Sequence, residues 1–339
     1  MQQSKPTVAL TLGDPAGIGP ELIAKLLGDP ETAKHANIVL IGDPWLWEAG
    51  QKVAGLQVAT RPIASFAEAR GAACGMPLFL AVDSVRPEQV ETGMAGPAGG
   101  ASVLKILNLC MDAVTARQID AICFAPLNKH AMKQSGMKFE DELHHFADYL
   151  KVDSYFCEFN TLDGLWTSRV SSHIPLKDAA SYLSKTRIED ASRLIYDSLK
   201  AAGVAQPRVA VAAFNPHGGD GGSCGREEID IIGPAVASLR EQGYPVEGPF
   251  PADTIFIKAR DGKYDAIVTM YHDQGQIAIK LLGFEKGVTV QGGLPIPITT
   301  PAHGTAYDIA GKNLANVNAT RNAFLIACRM GESYMNQPA

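Results

Sequence analysis

Three histidines each close an apolar run: His173 in "LWTSRVSSHIPL", His217 in "VAVAAFNPHGGDGG" and His272 in "DAIVTMYHDQGQIAIK". Neutral imidazole ligates Zn²⁺ and similar ions, and three protein ligands with an open position describe a catalytic metal site. The flanking residues suit that reading. Gly218 and Gly219 let backbone approach a ligand closely, and Asp273 stands ready to orient an imidazole from behind. No H-x-x-x-H pair puts two ligands on one helix. Taken singly, each histidine therefore reads as a hydrogen-bonded structural residue, and the metal reading rests on the trio. Lys280, further along the last segment, could reach a substrate carboxylate or phosphate, or simply be a solvated lysine.

Three further stretches invite chemistry. "GDPAGIGPE" (13–21) is a Gly-rich strand-to-helix turn whose backbone N–H groups, around Gly13 and Gly17, could bind an anion or merely make a tight turn. It is neither G-x-G-x-x-G nor a Walker A loop. "PAHGTAYDIAGKNLAN" (301–316) gathers His303, Gly304, Asp308, Lys312 and Asn316 in one late polar loop. "EDELHHF" (140–146) crowds acids and two histidines into about one helical turn. Such a cluster is ordinarily a solvated face; against a pocket, His144 or His145 could hydrogen-bond a substrate.

Short β-rich runs alternate with helical patterns to position these residues. "TVALTLG", "NIVLIGD", "PLFLAVD", "DAICFAP", "VAVAAFNP" and "YDAIVTMY" read as strands, and "PELIAKLLGD", "AGGASVLKILNLCMDAVTARQ", "RIEDASRLIYDSLKAAGV", "GPAVASLREQGY" and "NATRNAFLIACRM" as helices. Continuous apolar strands between helices imply an α/β fold with a mostly parallel sheet buried on both faces. In such sheets ligands bind outside the carboxyl ends of the strands, where all three histidines fall. "GMAGPAGGAS" (93–102) reads as a surface loop.

The bulk composition bounds the rest. A length of 339 residues favours two domains, and 46% hydrophobic against 19% charged residues is globular. The formal charge of −6 argues against nucleic acid and anionic membranes as partners. No apolar run is long enough for a membrane helix, and the N-terminus lacks the pattern of a signal peptide. Six scattered cysteines with no C-x-x-C fit reduced thiols, so a cytoplasmic location is expected.

"LGDPAGIGPE", "APLNK", "SSHIPL", "NPHGGDGG", "GREEID", "PADTIF", "YHDQG" and "HGTAYDIAGK" stand in the order found in the 4-hydroxythreonine-4-phosphate dehydrogenase family of vitamin B6 synthesis, which the chain resembles along essentially its whole length. "HGTAYDIAGKNLAN" also resembles the nucleotide-binding loop of isocitrate and isopropylmalate dehydrogenases, whose two-domain fold the family shares. The resemblance implies a discontinuous nucleotide-binding domain (1–128 plus 265–339) around an inserted substrate, metal and dimerisation domain (129–264), with the active site in a cleft between domains. It implies a homodimer whose interface shares a divalent metal among His173, His217 and His272. Three imidazoles suit Zn²⁺, with Co, Ni, Mn and Mg left open. Lys280 matches a substrate-binding lysine, and NAD or NADP would lie along His303 to Asn316.

The chemistry implied is oxidation of a 3-hydroxy acid. The metal would polarise the hydroxyl, hydride would leave for the nicotinamide, and the resulting 3-keto acid could lose CO₂. Asp273 or Lys280 would assist proton transfer.

The departures from the family pattern concern the substrate. The family's substrate-contacting His and Thr fall on Glu142 and Leu143, a family Asn becomes Thr289, and a substrate-binding Arg becomes Ile298; His144 or His145 could stand in for the missing His. Losing a guanidinium and gaining a carboxylate weakens a site for a phosphate dianion. The expected substrates are therefore 4-hydroxythreonine 4-phosphate or a non-phosphorylated relative such as an aromatic carboxylate cis-dihydrodiol. A non-catalytic metal- or nucleotide-binding protein, or an anion-binding module built on "GDPAGIGPE", are the readings from other classes.

Overall fold

The computed structural model describes residues 5–70 and 75–336; Cys74 lies outside them. The strands are β1 (Thr7–Thr11), β2 (Asn37–Gly42), β3 (Arg61–Ile63), β4 (Leu78–Ala81), β5 (Ala121–Phe124), β6 (Cys157–Leu162), β7 (Leu165–Arg169), β8 (Val209–Ala212), β9 (Val246–Phe250), β10 (Ala266–Thr269), β11 (Val288–Gly292) and β12 (Ile298–Pro301). The helices are α1 (Gly19–Leu27), α2 (Pro44–Ala54), α3 (Pro97–Thr115), α4 (Lys129–Gln134), α5 (Glu142–Tyr149), α6 (Ala179–Tyr182), α7 (Lys185–Ala201), α8 (Gly233–Glu241), α9 (Ala252–Arg260), α10 (His272–Gly283) and α11 (Asn318–Met335).

The chain divides into two compact units, Met1–Asp153 with Leu294–Ala339, and Ser154–Gly293. These bounds differ from breaks at 128 and 265. The reason is strand pairing: β10 pairs with β7 and β8, and β11 pairs with β6, which holds both in the second unit.

The first unit is built on strands in the order β3-β4-β2-β1-β5-β12, every pair parallel. All five residues of β1 are buried, as a strand covered on both faces requires. The main core joins Val39, Ile41, Ile106, Phe124, Phe146 and Ile298. Helix α3 starts at Pro97, so the later half of the "GMAGPAGGAS" stretch is helix, not surface loop. Glycine is required there, since a Cβ on Gly100 would stand 2.1 Å from the Ala131 carbonyl oxygen of α4.

The second unit has strands in the order β11-β6-β7-β10-β8-β9. Strands β7, β10, β8 and β9 are mutually parallel, whereas β6 runs antiparallel to both β7 and β11. A two-residue turn joins β6 to β7 with positive φ at Asp163 (45°) and Gly164 (90°), the backbone that an Asp-Gly hairpin turn demands. Its apolar core includes Leu162, Ala210, Ile255, Tyr264, Ile267 and Ile279. Among the described residues no helix is long and apolar enough to cross a membrane.

Candidate active site

The histidine end of the second unit follows from strand direction. Strands β7, β8 and β10 are parallel, so the segments leaving them carry His173, His217 and His272 out at the same sheet edge. The rings of His173 and His272 lie 5.9 Å apart between centroids, inclined at 43°. Two imidazoles on one tetrahedral Zn²⁺, with Zn–N near 2 Å, have centroids roughly 5 Å apart, so this pair is close to the spacing an ion needs. Asp273 Oδ1 lies 2.6 Å from His272 Nδ1. A carboxylate oxygen only accepts, so Nδ1 is the donor in this contact and Nε2 is the nitrogen left for a ligand bond, as in carboxylate-oriented metal ligands.

His217 is presented differently. It opens a run of left-handed residues, His217 (φ 55°), Gly218 (71°), Gly219 (82°), Asp220 (44°) and Gly221 (65°). Glu228, 5% exposed, reaches under the start of this run. Its Oε1 accepts from the Phe214 and Asn215 amides at 2.8 and 2.7 Å, and its Oε2 from Asn215 Nδ2 at 2.9 Å. Burial works against ionisation of Glu228, but the bonds from Asn215 and Phe214 outweigh it and hold the carboxyl below its ordinary range. Within one chain the three histidines do not close on a point. Among the described residues the group whose ligand atoms all lie within 4.8 Å of one another is Glu140, Asp141 and His144.

Behind His173 and His272 runs a buried polar network absent from the sequence reading. Arg169, 6% exposed, donates to Glu158 Oε2, Asn160 Oδ1 and Ser172 Oγ, each at 2.9 Å. Asn160 Nδ2 donates to Thr289 Oγ1 at 3.2 Å, and Gln276 Nε2 donates to Asn160 Oδ1. The network therefore ties Ser172, next to His173, to Gln276, one turn after His272. Lys280, on the same side of α10 two turns on, is exposed. The signal that could have found this network is the Asp163-Gly164 hairpin, which places Asn160 opposite Thr167.

In the first unit the Gly-rich turn and the late loop meet. Gly13 has φ 71°, and a Cβ there would stand 2.6 Å from the Pro126 carbonyl oxygen. Asp14, 2% exposed, accepts from the Ala16 amide at 2.9 Å and from Tyr307 Oη at 2.8 Å. The Ile18 amide donates to the Thr305 carbonyl at 3.1 Å, and Gly17 is packed so closely that a Cβ would lie 3.0 Å from Thr305. Glu21 Oε1 accepts from the Ala315 amide at 2.9 Å. In the loop, Lys312 Nζ donates to the Asp308 carbonyl, Asn316 Oδ1 accepts from the Asn318 amide, and His303 Nδ1 faces the Gly304 carbonyl. Burial pushes the His303 ring below its ordinary pKa. Beside this junction is a cavity of 210 Å³ lined by Ala16, Gln89, Glu91, Met94, Gly96 and Gly99.

The family model described as "Pyridoxal phosphate biosynthetic protein PdxA" matches residues 34–327. The chain belongs to the PdxA family. A Pseudomonas aeruginosa relative, provisionally named 4-hydroxythreonine-4-phosphate dehydrogenase 2, is 53% identical over 330 residues, covering 97% of this chain and 98% of its own. A Salmonella typhi relative, provisionally named D-threonate 4-phosphate dehydrogenase, is 39% identical over 305 residues, covering 90% of this chain and 92% of its own. The crystal structure of 4-hydroxythreonine-4-phosphate dehydrogenase from Klebsiella pneumoniae superposes with a TM-score of 0.84 at 31% identity, covering 98% of this chain and all of that one. This PdxA-family chain is accordingly an oxidoreductase acting on CH–OH groups, and its α/β fold is the isocitrate dehydrogenase-like fold of those structures.

The positions expected from sequence to differ at the substrate, Glu142, Leu143, Thr289 and Ile298, are built as follows. Asp141 caps α5, its Oδ1 accepting from the His144 amide at 3.0 Å and contacting His144 Nδ1 at 2.6 Å. His144 Nε2 lies 3.3 Å from Glu140, so both ring nitrogens are engaged and the acidic cluster works as a helix cap. The stretch is not a solvated face: Asp141 and Glu142 are buried, and Glu142 pairs with Lys129 at 3.4 Å. Leu143 is buried, and Ile298 sits fully buried in the main core. Thr289 joins the Asn160 network. Burial pushes the Cys110 and Cys123 thiols up to about 12, so neither is a thiolate nucleophile at neutral pH.

Proposed function

We propose that this PdxA-family enzyme oxidises the 3-hydroxyl of a small phosphorylated 3-hydroxy acid, with NAD or NADP accepting hydride, and that the 3-keto acid formed loses CO₂. The observation that carries the reading is the His173–His272 pair, backed by Asp273, at the carboxyl ends of parallel strands. The names of the relatives supply the substrate class, since 4-hydroxythreonine 4-phosphate and D-threonate 4-phosphate both bear a carboxylate, a 3-hydroxyl and a phosphate. A divalent ion held by His173, His217 and His272 would supply Lewis acidity that lowers the hydroxyl pKa, and Zn²⁺ suits three imidazoles.

The chain's own groups do the rest. Asp273 fixes the His272 tautomer, which commits its carboxylate to that ring. Lys280 would then serve the substrate: as an amine it takes the proton of the 3-hydroxyl as hydride leaves that carbon, and as the ammonium so formed it returns the proton to C2 once CO₂ has departed. The nucleotide lies along Gly13–Gly17 and the 303–316 loop, its nicotinamide end in the cavity beside Ala16. His217 completes the histidine set from a second copy of the chain, which pairs through the outer face of α10. There Ile277, Leu281 and Leu282 are 60%, 83% and 40% exposed.

Reduction of NAD or NADP, followed by absorbance with each of the two phosphorylated acids and with an aromatic carboxylate cis-dihydrodiol, tests the proposal. Turnover of either phosphorylated acid supports it. Exclusive turnover of the dihydrodiol would move the substrate assignment to the non-phosphorylated class. No turnover of any 3-hydroxy acid in the presence of Zn²⁺, Co²⁺, Ni²⁺, Mn²⁺ or Mg²⁺ overturns it.

A further inference from the structure

We infer that Glu228 is a positioning residue for His217: its buried carboxylate holds the left-handed turn in the one conformation that presents the imidazole as a ligand. The inference rests on the reading of His217 as a metal ligand and adds to it the group that makes such a ligand possible. L-residues avoid the left-handed region, and Gly enters it freely. The turn contains two residues that are not Gly, His217 and Asp220, each at positive φ. A conformation of this kind persists where its surroundings over-determine it.

Glu228 is what over-determines it. Its Oε1 takes the amides of Phe214 and Asn215, and its Oε2 takes the Asn215 side chain. Asn215 is thereby fixed on its backbone and side-chain edges, and its own carbonyl accepts from the Gly218 amide at 3.1 Å, closing the chain over His217. Glu227 adds a bond to Asn215 Nδ2 at 2.5 Å. The packing leaves no slack. A Cβ on Gly219 would stand 2.6 Å from Glu228 Oε2, and one on Gly225 would stand 2.4 Å from Asn215 Nδ2. Glu228 is beyond the reach of "NPHGGDGG" as a motif, yet it accepts from the second and third residues after β8, Phe214 and Asn215, and so sets where His217 leaves the sheet.

The test compares Glu228→Gln, Glu228→Ala and His217→Ala in the intact protein by Co²⁺ and Zn²⁺ titration, with the Co²⁺ visible spectrum and thermal stability without metal as parallel readouts. Metal affinity is expected to fall about a hundredfold in E228A and up to about tenfold in E228Q, which keeps one acceptor oxygen for the two amides. The E228A spectrum is expected to resemble that of H217A, a change that general destabilisation would not produce. Wild-type affinity and spectrum in both Glu228 variants, with H217A impaired, overturn the positioning role alone. Wild-type binding by H217A overturns the ligand reading on which it rests. Should E228A fail to fold, E228Q decides: an unchanged Co²⁺ spectrum and affinity there overturn the proposal.

Discussion

Asp273 Oδ1 stands 2.6 Å from His272 Nδ1 at the first turn of α10, so the carboxylate chooses the tautomer of the imidazole beside it. Both groups belong to the same short segment, and Asp273 is otherwise exposed. Its removal should therefore leave folding nearly untouched while loosening a ligand. For Asp273→Asn, a loss of about 10- to 100-fold in Zn²⁺ affinity is expected, with the melting temperature of the metal-free protein unchanged. Calorimetric titration with Zn²⁺ measures it, and an affinity equal to wild type would mean that the contact orients nothing of consequence.

Gln291 gives the opposite balance. It is 2% exposed on β11, and neither its Oε1 nor its Nε2 has a hydrogen-bond partner among the described residues. A buried amide without partners is a net burden on the fold, whereas an apolar side chain of similar length in the same place is not. Gln291→Met should hold or raise stability, by up to about 1 kcal/mol in urea unfolding. A clear loss of stability would show that the amide is served by ordered water and is part of the structure's support.

The layout of this site was legible in sequence where one residue type did one job. Apolar runs such as "VAVA" and "AIVT" are fully buried parallel strands, and the histidines after them do leave from one sheet edge. What could not be read was polar residues that are buried because they satisfy one another. Asn160, Thr167 and Arg169 break the apolar pattern of β6 and β7; the pairing of Asn160 with Thr167 and the bonds of Arg169 to Glu158, Asn160 and Ser172 explain them. The same holds for "EDELHHF": charge suggests solvent, but Asp141 is buried because it caps α5, and Glu142 because Lys129 reaches it. Such partners are set by tertiary contact, which one-dimensional spacing does not carry.

Ile298 tests that point directly. Sequence resemblance implies that a substrate-binding arginine's place is taken by Ile298, and the side chain is fully buried in one core cluster with Ile122, Phe124 and Ile296. Restoring the guanidinium with Ile298→Arg should place an unpaired cation in an apolar core, at about 3 kcal/mol or more of stability. Thermal unfolding checks this. A stable I298R with improved KM for a phosphorylated acid would show instead that the side chain can turn out of the core and recreate an anion site.

His145 supplies a pH dependence. Its Nε2 lies 2.8 Å from Asn108 Oδ1, an acceptor, so the neutral ring donates there. Burial pushes its pKa below the ordinary 6.5, against a smaller upward pull from Asp148. As pH falls, the unfolded chain takes up this proton before the folded chain does. The stability gained from a neutral His145 is thus present above the ordinary value and lost as pH drops through the lower folded one. The melting temperature should fall as the pH drops below the ordinary 6.5, and His145→Gln should flatten that fall relative to wild type. Parallel curves for the two proteins would assign the pH dependence to other groups.

The contact between Tyr307 and Asp14 predicts a coupled effect on stability and nucleotide binding. Asp14 is buried, which raises its carboxyl above the ordinary range, and the Ala16 amide and Tyr307 hydroxyl only partly offset this. A carboxyl raised in the folded state contributes most at acid pH, and that contribution is lost as pH rises through the folded value. Tyr307→Phe removes one of the two donors, so the ionised form suffers and the neutral form does not. The expected loss is about 1–3 kcal/mol at neutral pH, shrinking as the buffer is made acidic. Because the same bond ties the late loop to the Gly13–Gly17 turn, NAD or NADP should also bind more weakly to Y307F. A stability deficit of equal size at both pH values would place its origin in lost packing of the ring, and unchanged nucleotide binding would separate this junction from the cofactor.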